Sequence, residues 1–356
     1  MRTVFIEDID KVRELLDQAK EVEWLGGDLK RGAAAQVVEL TESQRADLRL
    51  IATVLSNEQV MNLTRQGLLE LMPSFSEKLL RAWLQEIEYG HGWLLLRGFP
   101  LDLDNLAAIK RAYAALGRCL GMPVSQTYAR NAVAEVEDLG KSAADPTSRG
   151  HQTSSALPFH CDRCDIVALL CVNNAFSGGR SQILSAPAVL RCLIDRYPDT
   201  AIRLLQPLPH DRRGEHYPHE APWIPLEIFA FVEGRFVSRY IRRFNESAGR
   251  FGGGSQLSEQ NVSDLNRVDQ ILAEHNRAYE MDLQPGDLQL LNNFTVWHAR
   301  TRYLDDLLSQ RHRLLLRLWL ASPLGRALPS RYQPLYGVTA SGVLRGGVPP
   351  ATQGII

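Results

Sequence analysis

Arg311-His312-Arg313-Leu314-Leu315-Leu316-Arg317-Leu318-Trp319-Leu320 has the alternation of a strand buried on one face and chemically committed on the other. Successive side chains of an extended chain point to opposite faces. Arg311, Arg313, Leu315, Arg317 and Trp319 therefore share one side, and His312, Leu314, Leu316, Leu318 and Leu320 the other. The leucine side reads as core and the arginine side as the lining of something anionic; an exposed strand with its arginines in water would carry the same pattern. Upstream, from about residue 157, short β-rich runs at 166–172, 228–232, 236–241 and 289–291 alternate with Gly, Pro and Asn. Many short strands with turn punctuation predict a sandwich or jelly-roll.

Residues 1–90 read differently, with helical periodicity in stretches such as 42–51 and 75–84. A short apolar run at 93–97 ends in Gly98-Phe99-Pro100, and 105–120 reads as a helix closed by Gly121. The expected architecture is mainly β with flanking helices (α+β). A helical N-terminal region, 1–90, packs on a β domain, 91–322, and a Pro/Gly-rich C-terminal arm, 323–356, follows as a mobile arm, a lid or a dimer contact. Two long polar or proline-rich stretches, 138–155 and 207–225, are expected to act as lid insertions.

Within the β-rich part, His160-Cys161-Asp162 places an imidazole and a carboxylate on one side of an extended segment, and His298 follows far downstream. Two imidazoles and one carboxylate can occupy one triangular face of a metal and leave the opposite face open, the ligand set of non-haem Fe(II) oxygenases. A bare His-x-Asp also arises by chance as a loop histidine beside a carboxylate. Arg313, downstream of His298, tilts the balance, because a permanently charged guanidinium with a two-pronged geometry is a natural anchor for the far end of a dicarboxylic cosubstrate.

These segments resemble the taurine dioxygenase/TfdA-like family of Fe(II)- and 2-oxoglutarate-dependent dioxygenases over roughly residues 90–322. The likeness is carried by Gly92-Trp93-Leu94-Leu95-Leu96-Arg97-Gly98-Phe99-Pro100, Leu157-Pro158-Phe159-His160-Cys161-Asp162, Ser177-Gly178-Gly179-Arg180-Ser181, the 285–301 segment and the strand from Arg313 to Leu320. The resemblance implies a double-stranded β-helix (jelly-roll) core. It implies His160, Asp162 and His298 as iron ligands, with Arg313 and Ser181 holding 2-oxoglutarate. It also implies Arg317 facing the primary-substrate pocket, and Arg243 and Tyr240 are further candidates for substrate contact. The implied reaction consumes O2, decarboxylates 2-oxoglutarate to succinate and CO2, and oxidises a C–H bond of a small polar metabolite. Hydroxylation is the expected outcome, since Asp162 fills the position that halogenating relatives leave open for chloride. Desaturation, cyclisation or bond cleavage by the same oxidant is the alternative within the class. A cupin-like metal protein that does not use 2-oxoglutarate is the alternative outside it.

Composition adds exclusions. The 356 residues, 45% hydrophobic and 23% charged, supply a large core without special stapling. A formal charge of -1 offers no case for broad attraction to nucleic acid. Acidic residues interrupt the first stretch of the chain, and no run of about 18 apolar residues occurs, so a cytoplasmic protein without membrane spans is expected. The partner is expected to be a small molecule, anionic or amino-acid-like, with a homo-oligomer left open. The five cysteines read as reduced thiols. His210, His216 and His219 lie on a proline-rich segment without matching carboxylates and are expected to face solvent.

Overall fold

The computed structural model describes residues 8–129, 131–141, 152–306 and 312–350. Two sheets face one another. The major sheet runs in the order Val37–Glu39, Trp93–Arg97, Leu288–Asn292, Ile166–Asn173, Leu314–Ala321, Met122–Val124, and Val133–Val136 also pairs with Leu314–Ala321. All its pairings are antiparallel except the first, Val37–Glu39 on Trp93–Arg97. The minor sheet is Tyr279–Met281, Ser181–Ser185, Val296–Arg300, Leu157–His160, antiparallel throughout.

The alternation in 314–320 is what places this strand at the centre. Leu316, Leu318 and Leu320 enter a cluster with Leu94, Leu96, Leu170 and Leu290 and with the helices Glu42–Val54, Glu77–Tyr89 and Leu106–Leu120, which cover the outer face. Each leucine buried in this way stabilises the fold by about 1.5–3 kcal/mol. Leu315 and Trp319 turn inward to meet Trp93, Leu95, Val167, Ile183 and Val296 between the sheets. On the minor sheet Leu184 and Trp297 point outward under the helices Ala186–Arg196 and Glu259–Leu272. The result is a mixed α+β sandwich with helices on both outer faces.

The helix Leu106–Leu120 starts where the Asn105 side chain accepts from the Ala108 amide at 3.0 Å, which meets one of the unpaired donors of the first turn. It can lie close to the sheet because Gly117 has no side chain. A Cβ there would sit 2.6 Å from Leu318 Cδ1.

Two expectations are corrected. The 207–225 stretch is a β-hairpin, in which Pro207–Asp211 pairs with Trp223–Glu227. It buries His210, which is only 3% exposed, whereas His219 is exposed as expected. The C-terminal stretch is no free arm over 323–350: Leu328, Tyr332, Leu335 and Tyr336 are buried in one cluster, and buried Arg345 pairs with Asp165 at 2.8 Å. Most of the expected lid at 138–155 lies outside the described residues. Among the described residues no helix is long and apolar enough to cross a membrane.

Candidate metal and cosubstrate site

Pairing in the minor sheet brings two of the three metal candidates together. Leu157–His160 and Val296–Arg300 are neighbours, and His160 stands directly opposite His298, with ring centroids 4.2 Å apart. Asp162 lies just past the end of its strand, where its amide donates to Asn293 Oδ1 at 3.1 Å. Its Oδ2 is 3.9 Å from His298 Nε2. One donor atom from each residue lies within 4.8 Å of the others, the only such group of three among the described residues. Metal–ligand bonds of about 2.0–2.2 Å reach all three with shifts of under about an ångström.

The donors are held ready to bind a cation. His160 Nδ1 lies 2.9 Å from the Pro158 carbonyl, which can only accept, so Nδ1 carries the proton and Nε2 is the free lone pair. Burial pushes His298 down to about 3, and the neighbouring His160 adds to the effect. Burial likewise lowers His160. Both imidazoles are therefore neutral near pH 7, the form that ligates metal. Burial alone would raise Asp162, but the Arg317 guanidinium, the two histidines and the Trp319 indole N–H outweigh it and hold the carboxyl well below its usual range. Trp319 Nε1 donates to Asp162 Oδ2 at 2.8 Å, and Arg317 Nη1 lies 3.3 Å from the same oxygen.

Arg317 thus faces the pocket but spends its charge on Asp162. Its Nε donates to Gln126 Oε1 at 2.6 Å, and Gln126 returns a bond to the Arg317 carbonyl at 2.8 Å. Arg313 is held differently. It is 3% exposed, yet Nε and Nη1 have no partner among the described residues, and Nη2 makes one long contact, 3.4 Å, to the Gly179 carbonyl. Gly179 must be glycine here, since its φ is +72° and a Cβ would sit 2.9 Å from Arg313 Nε. Ser181 donates to Gln289 Oε1 at 3.1 Å and lines the same pocket. That pocket lies between the sheets, with His160, Ser181, His298, Arg300, Arg313 and Arg317 among Leu157, Leu169, Leu283 and Leu315.

Arg300 is the residue to which sequence reasoning gave no role. It is two positions beyond His298 and so on the same face of the strand, a signal that period-2 reading could have used. Its Nη2 donates to the carbonyls of Thr153, at 2.7 Å, and Ser155. Nε and Nη1 have no partner among the described residues. Arg300 and Arg313 both lie over the Tyr303 ring, 4.7 and 5.1 Å from its centroid. Two buried guanidiniums with unmet donors at one end of the pocket fit a carboxylate, which can accept from both.

The structure does not bring Tyr240 or Arg243 to this pocket. Tyr240 stacks on Trp297, with centroids 4.7 Å apart, and donates its hydroxyl to Asp269 at 2.6 Å. Trp297 precedes His298 and points to the opposite face of the strand, so Tyr240 lies behind the candidate histidines. Arg243 is exposed on the helix Arg242–Ser247, and Arg242 is engaged by Asp269, Glu246 and Asn266. Cys164, two residues beyond Asp162, is buried in the inner core, where Asn293 Nδ2 donates to its sulfur at 2.9 Å.

Residues 66–319 match the sequence profile of the family described as taurine catabolism dioxygenase TauD, TfdA family. A curated relative from Streptomyces rubellomurinus, FR-33289 synthase, is 30% identical over 82% of this chain and 86% of its own length. The taurine hydroxylase-like protein SAT17 of Stachybotrys chartarum is 26% identical over 84% of this chain and 78% of its own. Among solved structures, asparagine oxygenase in complex with Fe(II), 3-hydroxyasparagine and succinate superposes with a TM-score of 0.62 at 18% identity, covering 80% of this chain and 93% of that one. The non-heme iron oxygenase OrfP in complex with Fe and α-ketoglutaric acid gives 0.59 at 13% identity over 86% and 99%. At these identities the two structures share the fold.

Proposed function

The chain belongs to the TauD/TfdA family and is an Fe(II)- and 2-oxoglutarate-dependent dioxygenase, and we propose that His160, Asp162 and His298 hold its iron while Arg313 holds the distal carboxylate of its cosubstrate. The observation that carries this assignment is the pair of Arg313 nitrogens, without partners among the described residues, buried in the pocket that His160 and His298 also line. Ser181 turns its hydroxyl from Gln289 toward the same carboxylate, and Arg300 flanks it from the other side of Tyr303. Bound Fe(II) supplies the oxidising power with O2 as 2-oxoglutarate loses CO2 to become succinate.

The protein's own groups position and neutralise. Pro158 fixes the His160 tautomer, Trp319 and Arg317 orient Asp162, and the leucines of the pocket exclude water from the reacting face. The substrate is a small polar metabolite and the outcome hydroxylation, supported by the hydroxylated amino acid in the asparagine oxygenase complex. The facing sheets support a double-stranded β-helix core spanning 91–322, with 1–90 as its helical cover. Five unpaired, buried thiols support a reducing, cytoplasmic setting. Succinate release from 2-oxoglutarate should require added Fe(II) and O2 and vanish in His298→Ala. Metal binding without any such release would favour the cupin-like alternative.

A further inference from the structure

A second cavity, of about 150 Å³, shares no lining residue with the inner pocket. It forms where the helices Arg65–Leu71 and Leu106–Leu120, which help to cover the major sheet, meet the end of the strand Leu314–Ala321 and the C-terminal stretch. A cavity of that volume holds a guest of about six non-hydrogen atoms. Ala321, Pro323, Val343 and Leu344 give it apolar walls, Arg65 and Arg118 supply charge, and Ser322 supplies a hydroxyl.

The two guanidiniums differ. Arg65 is half-buried and matched, its Nε donating to the Cys119 carbonyl at 2.9 Å and its Nη1 pairing with Glu77. Arg118 is only 8% exposed. Its Nη2 donates to the Leu63 carbonyl at 2.7 Å, but Nε and Nη1 have no partner, and no carboxylate pairs with it, among the described residues. Burial accordingly pushes Arg118 below its ordinary value. A cation in the last turn does suit the C-terminus of Leu106–Leu120, but that gain is smaller than the cost of burying charged donors without acceptors. Ser322 adds a further donor, since its hydroxyl accepts from the Leu324 amide at 3.2 Å and keeps its own proton to give. One unmatched positive charge among apolar walls calls for a monoanion with a short apolar body; a dianion would in turn leave buried negative charge unmatched.

We propose that this cavity binds a short-chain monocarboxylate, whose carboxylate accepts from Arg118 and Ser322 while its alkyl tail packs on Pro323 and Val343. The site is separate from the iron and cosubstrate assignment and does not depend on it. A bound acid ties the C-terminal stretch to the helical cover. It also braces the segment that follows Asp162, because the Ser322 amide and Arg345 Nε both donate to Asp165 at 2.8 Å.

The test uses the full chain carrying Arg313→Met, which removes the carboxylate anchor of the inner pocket, without added metal. Acetate, propionate and butyrate are titrated calorimetrically. At least one should bind with one equivalent per chain. Its affinity should fall tenfold or more when Arg118→Gln is added, and separately when Val343→Trp fills the cavity from its half-buried wall. Thermal melts confirm that the variants fold, and Val343→Trp alone decides the matter should Arg118→Gln fail to fold. No binding by any of the three acids, or equal affinity in the folded variants, overturns the site.

Discussion

Arg326 and Arg345 are buried as deeply as Arg300 and Arg313, but the two pairs are treated in opposite ways. Arg326 meets Glu88 at 2.9 Å and Glu21 at 3.1 Å, with main-chain carbonyls taking its other donors. Arg345 meets Asp165 at 2.8 Å and the carbonyls of Ala340 and Arg326 at 2.8 and 2.6 Å. Arg313 has one long carbonyl contact, Arg300 has two carbonyls, and each keeps two nitrogens without partners among the described residues. Burial therefore does not distinguish an arginine that ties the fold from one that awaits a ligand. The state of its donors does, because an unmet buried charge is costly unless something arrives to meet it.

Four measurements can break or sharpen that contrast. Arg345→Met leaves the Asp165 carboxylate buried and unpaired and should cost about 3–5 kcal/mol of stability in equilibrium denaturation. Arg313→Met removes no pair among the described residues and should stay within about 1 kcal/mol of wild type; similar losses in both would erase the distinction. On ligand binding the order should reverse, with Arg313→Met weakening 2-oxoglutarate by roughly 10^2-fold in anaerobic titration. An unchanged affinity would shift the anchor to Arg300. Ser181→Ala removes a single neutral hydrogen bond and should weaken 2-oxoglutarate only about fivefold, near 1 kcal/mol; a loss as large as that of Arg313→Met would make the hydroxyl the principal contact.

The smallest effect expected is on the pH dependence of metal binding. His298 is held at about 3, far below its usual value, and His160 is also lowered. The unfolded chain takes up a proton below about pH 6.5 that folded His298 refuses down to about 3, so stability falls as pH drops through that window. Inside the folded protein, protons compete with metal only near the lower limit for His298. Co(II) affinity should then change by less than about threefold between pH 7 and 6, whereas two ordinary histidines titrating near 6.5 would cost roughly tenfold. A tenfold loss would show that the imidazoles are protonated as freely as exposed ones.

The legible parts of the sequence were those where one strand carries its own meaning. Period 2 in 313–320 separated Arg313, Leu315, Arg317 and Trp319 from Leu316, Leu318 and Leu320, and the two faces enter different surroundings in the structure. Arg300 was equally accessible to the same reasoning, two residues from His298, but its unmet donors are visible only once the neighbouring chain is in place. The placement of Tyr240 away from the pocket was not legible because it depends on which face of another strand Trp297 occupies. His210 was misjudged because the proline-rich segment conceals a hairpin, whose strands pair across an irregular connection. The docking of the C-terminal stretch was not legible because Arg345 meets Asp165 far back in the chain, a pairing that local composition does not encode.

The central claim is that the histidine–aspartate triad and the unmet donors of Arg313 form one site for Fe(II) and 2-oxoglutarate. Anaerobic addition of Fe(II) and then 2-oxoglutarate should produce the weak visible charge-transfer band of a chelated 2-oxo acid in the wild type. His298→Ala should show no band at any concentration, and Arg313→Met should need roughly 10^2-fold more 2-oxoglutarate to reach it. Iron bound by the wild type with no band at saturating 2-oxoglutarate would contradict the account.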